Sequence, residues 1–417
     1  MTTRAFDLVL FGATGFTGKL VAEYLLSHAP ASLRWALAGR SQTKLEAVRR
    51  DLAVTHPNAS ALPLLIADSD DAASVDALAK QARVVITTVG PYMKYGRALV
   101  AACAENGTHY CDLTGETPFI RDTIDRCHAR AQETGARIVH TCGFDSIPSD
   151  LGVLMMHEHA KAHGQTLSRV RFFLGESRGS GSGGTVASMF EIARAARSDA
   201  KVRRLLGDPY ALNPDRKKER GPDKSDQMGV HYDRDLKMWT GPFLMASINT
   251  RVVRRSNALL DYAYGRDFRY SESMSFGKGP KGMLIASAVS AGMAGFVASA
   301  AFAPGRSLLA RILPKVGEGP SKEARERGYF VVRLIADAQS KDGTASQFTG
   351  RVVGKSDPGY GETAKMLSES ALCLALDGEK LTSRGGVLTP ASAMGTLLID
   401  RLRAAGMEFE VRDARAP

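Results

Sequence analysis

Gly12, Gly15 and Gly18 stand three residues apart in FDLVLFGATGFTGKLVAEYLL, between a strand-like apolar run and an amphipathic helix pattern. Glycines there serve backbone chemistry. Gly12 permits a tight turn, Gly15 lets the backbone approach a pyrophosphate, and Gly18 allows the helix to pack closely on the strand. The helix N-terminus adds free amides and a dipole that favours an anion. Thr14, Phe16 and Thr17 lie in the same loop, with amides and hydroxyls suited to phosphate. One strand later, WALAGRSQTKL carries Arg40, Ser41 and Lys44 where an NAD-selective domain would carry an acid for the ribose 2′-hydroxyl. Those residues suit a 2′-phosphate, so the expected cofactor is NADP. Asp68, after the third strand pattern, is expected near the adenine. Val89, Gly90 and Pro91, after the fourth, are expected near the nicotinamide.

Two groups of residues could act beside a nicotinamide. In TTVGPYMKYG, Tyr92 and Tyr95 each carry a hydroxyl able to polarise a carbonyl or give up a proton, with Lys94 between them. Aromatic packing explains the same residues equally well. In HTCGFDSIPSD, Asp145 and Ser146 follow the sixth strand pattern, at the end of the sheet where ligands bind. Ser146 reads equally as a helix N-cap, with Pro148 in the first turn. Thr114, Gly115 and Glu116 border the same crevice. No HExxH or other paired-ligand spacing occurs, so no metal is expected. Cys142 has no histidine close to it in sequence, and no nucleophile-elbow motif occurs.

The elements that must position these residues alternate from Phe6 to Thr141: short β-rich runs such as FDLVLF and ARVVITTV, then helical stretches such as TKLEAVRRDLA. That rhythm predicts an α/β fold, a Rossmann-type doubly wound parallel sheet. After residue 145 the rhythm changes to longer strand patterns mixed with helices, which predicts a second α+β domain with a mainly antiparallel sheet. The expected division is 1–145 for cofactor, 146–376 for substrate and oligomerisation, and 377–417 as a C-terminal segment packing back on the first domain. The stretch NPDRKKERGPDKSDQ is charged and nearly free of apolar residues, and reads as a mobile surface loop.

The chain has 417 residues, which favours two domains over one core. Its five cysteines have no CxxC spacing, which argues against a disulfide framework and a structural zinc and suits a reducing cytoplasm. The N-terminus has no secretory pattern. A formal net charge of +11 is dispersed, and no nucleic-acid module accompanies it, so no nucleic-acid partner is expected. Attraction to phosphorylated cofactors, acidic carrier proteins or anionic membranes is the sharper reading of that charge.

GATGFTG, AGRS, TTVGPYMKYG, CDLTGE and CGFDSIPSD resemble, in order and spacing, the saccharopine dehydrogenase-like oxidoreductases. INTRVVRRSNALLDYAYGRDFRYSESMS and GVLTPASAMG resemble more narrowly the trans-acting enoyl reductases of phthiocerol-lipid biosynthesis. The resemblance implies NADPH-dependent reduction of an enoyl double bond in a long-chain acyl or polyketide intermediate, carried by a synthase that lacks the activity. An amino-acid or polyamine dehydrogenase, and a non-catalytic nucleotide-binding protein at a lipid surface, are the competing readings. Residues 283–303, MLIASAVSAGMAGFVASAAFA, carry no charge. They are expected to form a helix that lines an apolar substrate route, touches a membrane surface or packs in a homodimer, without spanning a bilayer.

Overall fold

A computed structural model describes residues 4–179, 181–314, 317–381 and 384–413. The alternating N-terminal runs form β1 (Phe6–Phe11), β2 (Trp35–Gly39), β3 (Leu64–Ile66), β4 (Ala82–Thr87), β5 (His109–Cys111) and β6 (Arg137–Val139), with helices between them. The strands that follow are β7 (Gln165–Arg178), β8 (His231–Asp233), β9 (Met238–Gly241), β10 (Arg269–Ser275), β11 (Tyr329–Ser340), β12 (Ala345–Gly354), β13 (Gly386–Leu388) and β14 (Glu408–Asp413). One sheet has the order β13-β6-β5-β4-β1-β2-β3, and every pairing in it is parallel. Its central strands are buried on both faces, which is why β2 reads as continuous apolar sequence with no alternation. The expected doubly wound sheet is present.

The second sheet has the order β14-β12-β11-β7-β10-β9-β8, and all its pairings are antiparallel except β7 with β10. Polar and apolar residues alternate along β11 and β12, so one face packs on the core and the other meets solvent. The helix Ile147–Ala162 joins the two halves and is buried all round from Ile147 to His157, where the apolar run LGVLMM leaves no polar face; its last turn, with Glu158 and Lys161, reaches solvent. The chain then returns to the first sheet twice. Helix Gly361–Leu376 packs on helix Phe16–His28 and on β4, and β13 extends the parallel sheet.

The expectation of a mobile loop over NPDRKKERGPDKSDQ is corrected by its contacts. Asp223 is held by Arg254 at 2.9 Å, Asp226 pairs with Arg251, and both guanidinium groups are buried. Tyr210 accepts the Asp223 amide on its hydroxyl. The segment is irregular but anchored, because helix Ala246–Leu259 supplies cations that its own composition does not reveal.

Candidate active site

Gly12 has φ +95°, and a Cβ there would lie 2.8 Å from both Thr88 Oγ1 and Val89 Cγ2. Gly18 sits so close to the turn that a Cβ would meet the Gly12 carbonyl oxygen at 2.2 Å. Gly15 is the N-cap of helix Phe16–His28; no side chain caps that helix and no acid occupies its first turn. The first amides are therefore left for an incoming anion. These features fit a dinucleotide pyrophosphate, and they stand beside Thr14, which lies next to Gly39 at the end of β2.

Arg40 is exposed and makes no ion pair among the described residues, and Lys44 is exposed one helical turn away. Ser41 caps helix Gln42–Thr55, accepting the Lys44 amide at 3.4 Å. Asp68 forms a local turn, with Oδ1 accepting the Asp70 amide, and is partly exposed at the end of β3. Phe16 is covered from the other half of the molecule: its ring meets Tyr360 edge-on at 5.0 Å between centroids, and Arg325 lies over it.

A cavity of about 740 Å³ opens from this cradle. Gly15 to Gly18 form one end, Thr88, Gly90, Pro91 and Tyr92 one flank, and Leu113, Gly115 and Asp145 the floor. The remaining wall comes from the second half of the chain, chiefly Ala187, Met189 and Ile192 of helix Gly183–Ser198, Met245 and Ile248 at the start of helix Ala246–Leu259, and Phe296 of helix Gly279–Ala300. It is lined mainly by apolar groups, with Arg197 and Arg203 also among the lining residues.

The structure separates the four candidate catalytic residues. Asp145 is in the cavity, and its carboxyl accepts no hydrogen bond among the described residues; loss of water around it pushes its pKa up to about 7. Tyr92 lines the cavity with its ring, but its hydroxyl is buried and donates to the Thr87 carbonyl at 3.2 Å. Burial, with Asp112 nearby, holds that phenol well above its usual range. Tyr95 lies outside the cavity lining, with the Lys94 ammonium 4.8 Å from its ring centre. Ser146 is fully buried and donates to Asn249 Oδ1 at 2.9 Å, and its side chain makes no capping bond.

Glu116 plays a larger part than its place in sequence suggested. Its carboxylate accepts the amides of Tyr92 at 2.8 Å and Met93 at 2.7 Å, and the Ser188 hydroxyl at 2.5 Å. Burial raises its pKa despite these three donors. The result is a rigid flank: the Gly90–Tyr92 turn is tied to the helix that forms the opposite wall. Beneath it, Asp112 accepts from Tyr110, from His140 Nδ1, and from the amides of Thr114 and Thr141, fixing the ends of β5 and β6. The wall residues have no local signature, because their role depends on which distant helix lands on the sheet.

Residues 8–139 match the saccharopine dehydrogenase NADP binding domain. Trans-acting enoyl reductases of Mycobacterium tuberculosis and Mycobacterium ulcerans are 45% and 43% identical to this chain, and each comparison covers 97% of both proteins. Saccharopine dehydrogenase (L-Glu forming) from Saccharomyces cerevisiae shares the fold at a TM-score of 0.54 and 12% identity, covering 98% of this chain and 99% of that one. The glycine cradle, the cavity beside it and this near-complete similarity place the chain in the trans-acting enoyl reductase family, as an oxidoreductase with a saccharopine dehydrogenase-type domain for a nicotinamide dinucleotide.

Proposed function

We propose that this protein uses NADPH to reduce the double bond of an enoyl thioester on a long apolar acyl or polyketide chain. The observation that carries this reading is one unpartnered carboxyl, Asp145, with its pKa raised to about 7, in a largely apolar cavity that begins at the glycine turn. Arg40 and Lys44 at the end of β2, with no acid in that turn, favour the phosphorylated cofactor over NADH. The relatives named as enoyl reductases support the same chemistry.

When bound, the cofactor supplies a hydride. The gain of a hydride at the β carbon leaves charge on the thioester oxygen, and a proton is needed at the α carbon. Asp145, which lines the cavity with its pKa raised to about 7, is the group we assign to supply that proton. Glu116 keeps the Gly90–Tyr92 backbone in place, and Met189, Ile192 and Phe296 exclude water from the acyl chain.

The test is NADPH oxidation with a series of enoyl thioesters of increasing length, set against amino acids, polyamines and keto acids. Turnover confined to the thioesters, rising with chain length, is expected. Turnover with an amino acid or polyamine and none with thioesters would overturn the assignment.

A further inference from the structure

We propose that helices Gly279–Ala300 and Ala303–Ile312 form a hairpin that docks this protein on an anionic lipid surface. The first helix is long and apolar enough to cross a membrane by composition, yet only 11% of its most apolar window is buried. One side of it rests on β9. A Cβ at Gly241 would lie 3.1 Å from Ser290 Oγ and 3.5 Å from the Ala286 carbonyl. The second helix folds back tightly, since a Cβ at Gly305 would stand 2.1 Å from the Ser299 carbonyl oxygen. Much of the remaining surface of both helices is left bare. Leu284 is 66% exposed, Val297 52%, Phe302 47%, Leu308 62% and Ile312 72%. Large apolar side chains grouped in this way mark a surface that something covers.

Charge selects the occupant. From Ser273 to Gly317 the sequence has no Asp or Glu, while Lys278 and Lys281 lie at the start of the first helix and Arg306 and Arg311 in the second. A second copy meeting this face about a twofold axis would set cations against cations. An anionic lipid surface accepts both the apolar side chains and the basic flanks. Spanning is ruled out by connectivity. β10, before the hairpin, and β11, after it, both pair with β7 in one sheet, so a single crossing would put neighbouring strands on opposite sides of the bilayer. The return segment cannot cross either, because it carries Arg306, Arg311, Lys322, Arg325 and Arg327.

Phe296, Val297, Ala300 and Ala301 of the same hairpin also line the cavity. Val297 is both cavity lining and half exposed, so the apolar wall of the cavity runs on to the docking face. A lipid-dissolved ligand could then enter without crossing water. The docking surface stands independently of the reduction proposed above.

Flotation of the full chain on a sucrose gradient tests it. Vesicles of equimolar phosphatidylcholine and phosphatidylglycerol should carry the protein upward, vesicles of phosphatidylcholine alone should not, and alkaline carbonate should strip it. Each basic residue near an anionic surface is worth about a factor of five, so Lys278→Gln with Lys281→Gln should weaken partition by roughly thirtyfold. Leu284→Asp with Leu308→Asp should abolish it at an unchanged melting temperature. Failure of the wild-type chain to float with anionic vesicles, or unchanged flotation of either double variant, overturns the proposal. Resistance to carbonate overturns the surface placement. A stable dimer that Leu284→Asp with Leu308→Asp dissociates, without flotation, assigns the face to a second copy instead.

Discussion

Asp145 and Arg40 are the two side chains whose chemistry can be separated most cleanly. Desolvation alone raises the pKa of Asp145 to about 7. In the proposed role of proton donor it would work in its acid form, so kcat should decline as pH rises through about 7. Asp145→Asn should lower kcat by about a hundredfold or more and flatten that decline, with the NADPH Kd unchanged. A variant with wild-type kcat would remove Asp145 from the chemistry. Arg40 has no ion-pair partner to lose among the described residues, so changing it reports on the cofactor alone. Arg40→Asp should weaken NADPH by about ten- to a hundredfold while leaving NADH little affected. Titration of the two cofactors measures this, and an unchanged ratio would place the 2′-phosphate elsewhere. The Tyr92 hydroxyl offers a useful contrast: the sequence offers it as a weaker candidate than Asp145, and its proton is engaged by the Thr87 carbonyl.

At the scale of elements, the helix over 283–303 was legible in sequence and appears as Gly279–Ala300, because an uninterrupted run of small and apolar residues has few alternatives. The segment 213–227 was not legible. Its charges suggested solvent, yet Arg254 is buried while bound to Asp223, to the Pro209 carbonyl at 3.0 Å and to the Tyr270 carbonyl at 3.0 Å. Breaking a buried ion pair from one side leaves the other charge stranded. Arg254→Ala should therefore destabilise the protein by about 3–5 kcal/mol. It should also speed trypsin cleavage at Lys217, Lys218 and Arg220, whose side chains are already exposed on a backbone that the anchored segment holds in place. Limited proteolysis under native conditions checks this, and an unchanged cleavage pattern would mean that the loop holds itself.

Across the whole molecule, buried acids link the two sheets and make stability depend on pH. Asp150, on the joining helix, accepts Ser256 Oγ at 2.5 Å and the Ala391 amide at 2.8 Å. Glu272 on β10 accepts the Tyr270 hydroxyl at 2.7 Å and Asn249 Nδ2 at 2.9 Å. Burial lifts each to about 7, above the model-peptide values of 3.8 and 4.5. Both therefore keep protons in the folded state that the unfolded chain has released, and the folded state loses that advantage as pH rises through about 7. His109, held at about 4 by burial, acts in the opposite sense, but only below its ordinary value of 6.5. Between pH 6.5 and 8 the acids should together remove about 1–2 kcal/mol of stability. Asp150→Asn with Glu272→Gln should make that slope shallower in thermal melts, leaving the share of Asp145, whose pKa is also raised to about 7, and an equally steep slope in the variant would assign it to other groups. The amino-acid sequence by itself determined the phosphate cradle, the cationic turn after β2 and the apolar helix, because each is made by contiguous residues whose backbone and side-chain preferences act locally. Only the tertiary structure decided that Asp145 lines the cavity with a raised pKa while Ser146, its neighbour, is buried outside that lining. The desolvation around Asp145 comes from distant segments: a side chain at Gly115 would meet both Asp145 Oδ2, at 3.7 Å, and Met245, at 3.5 Å. Burial of this kind is a property of what folds over a residue, and no local pattern encodes it.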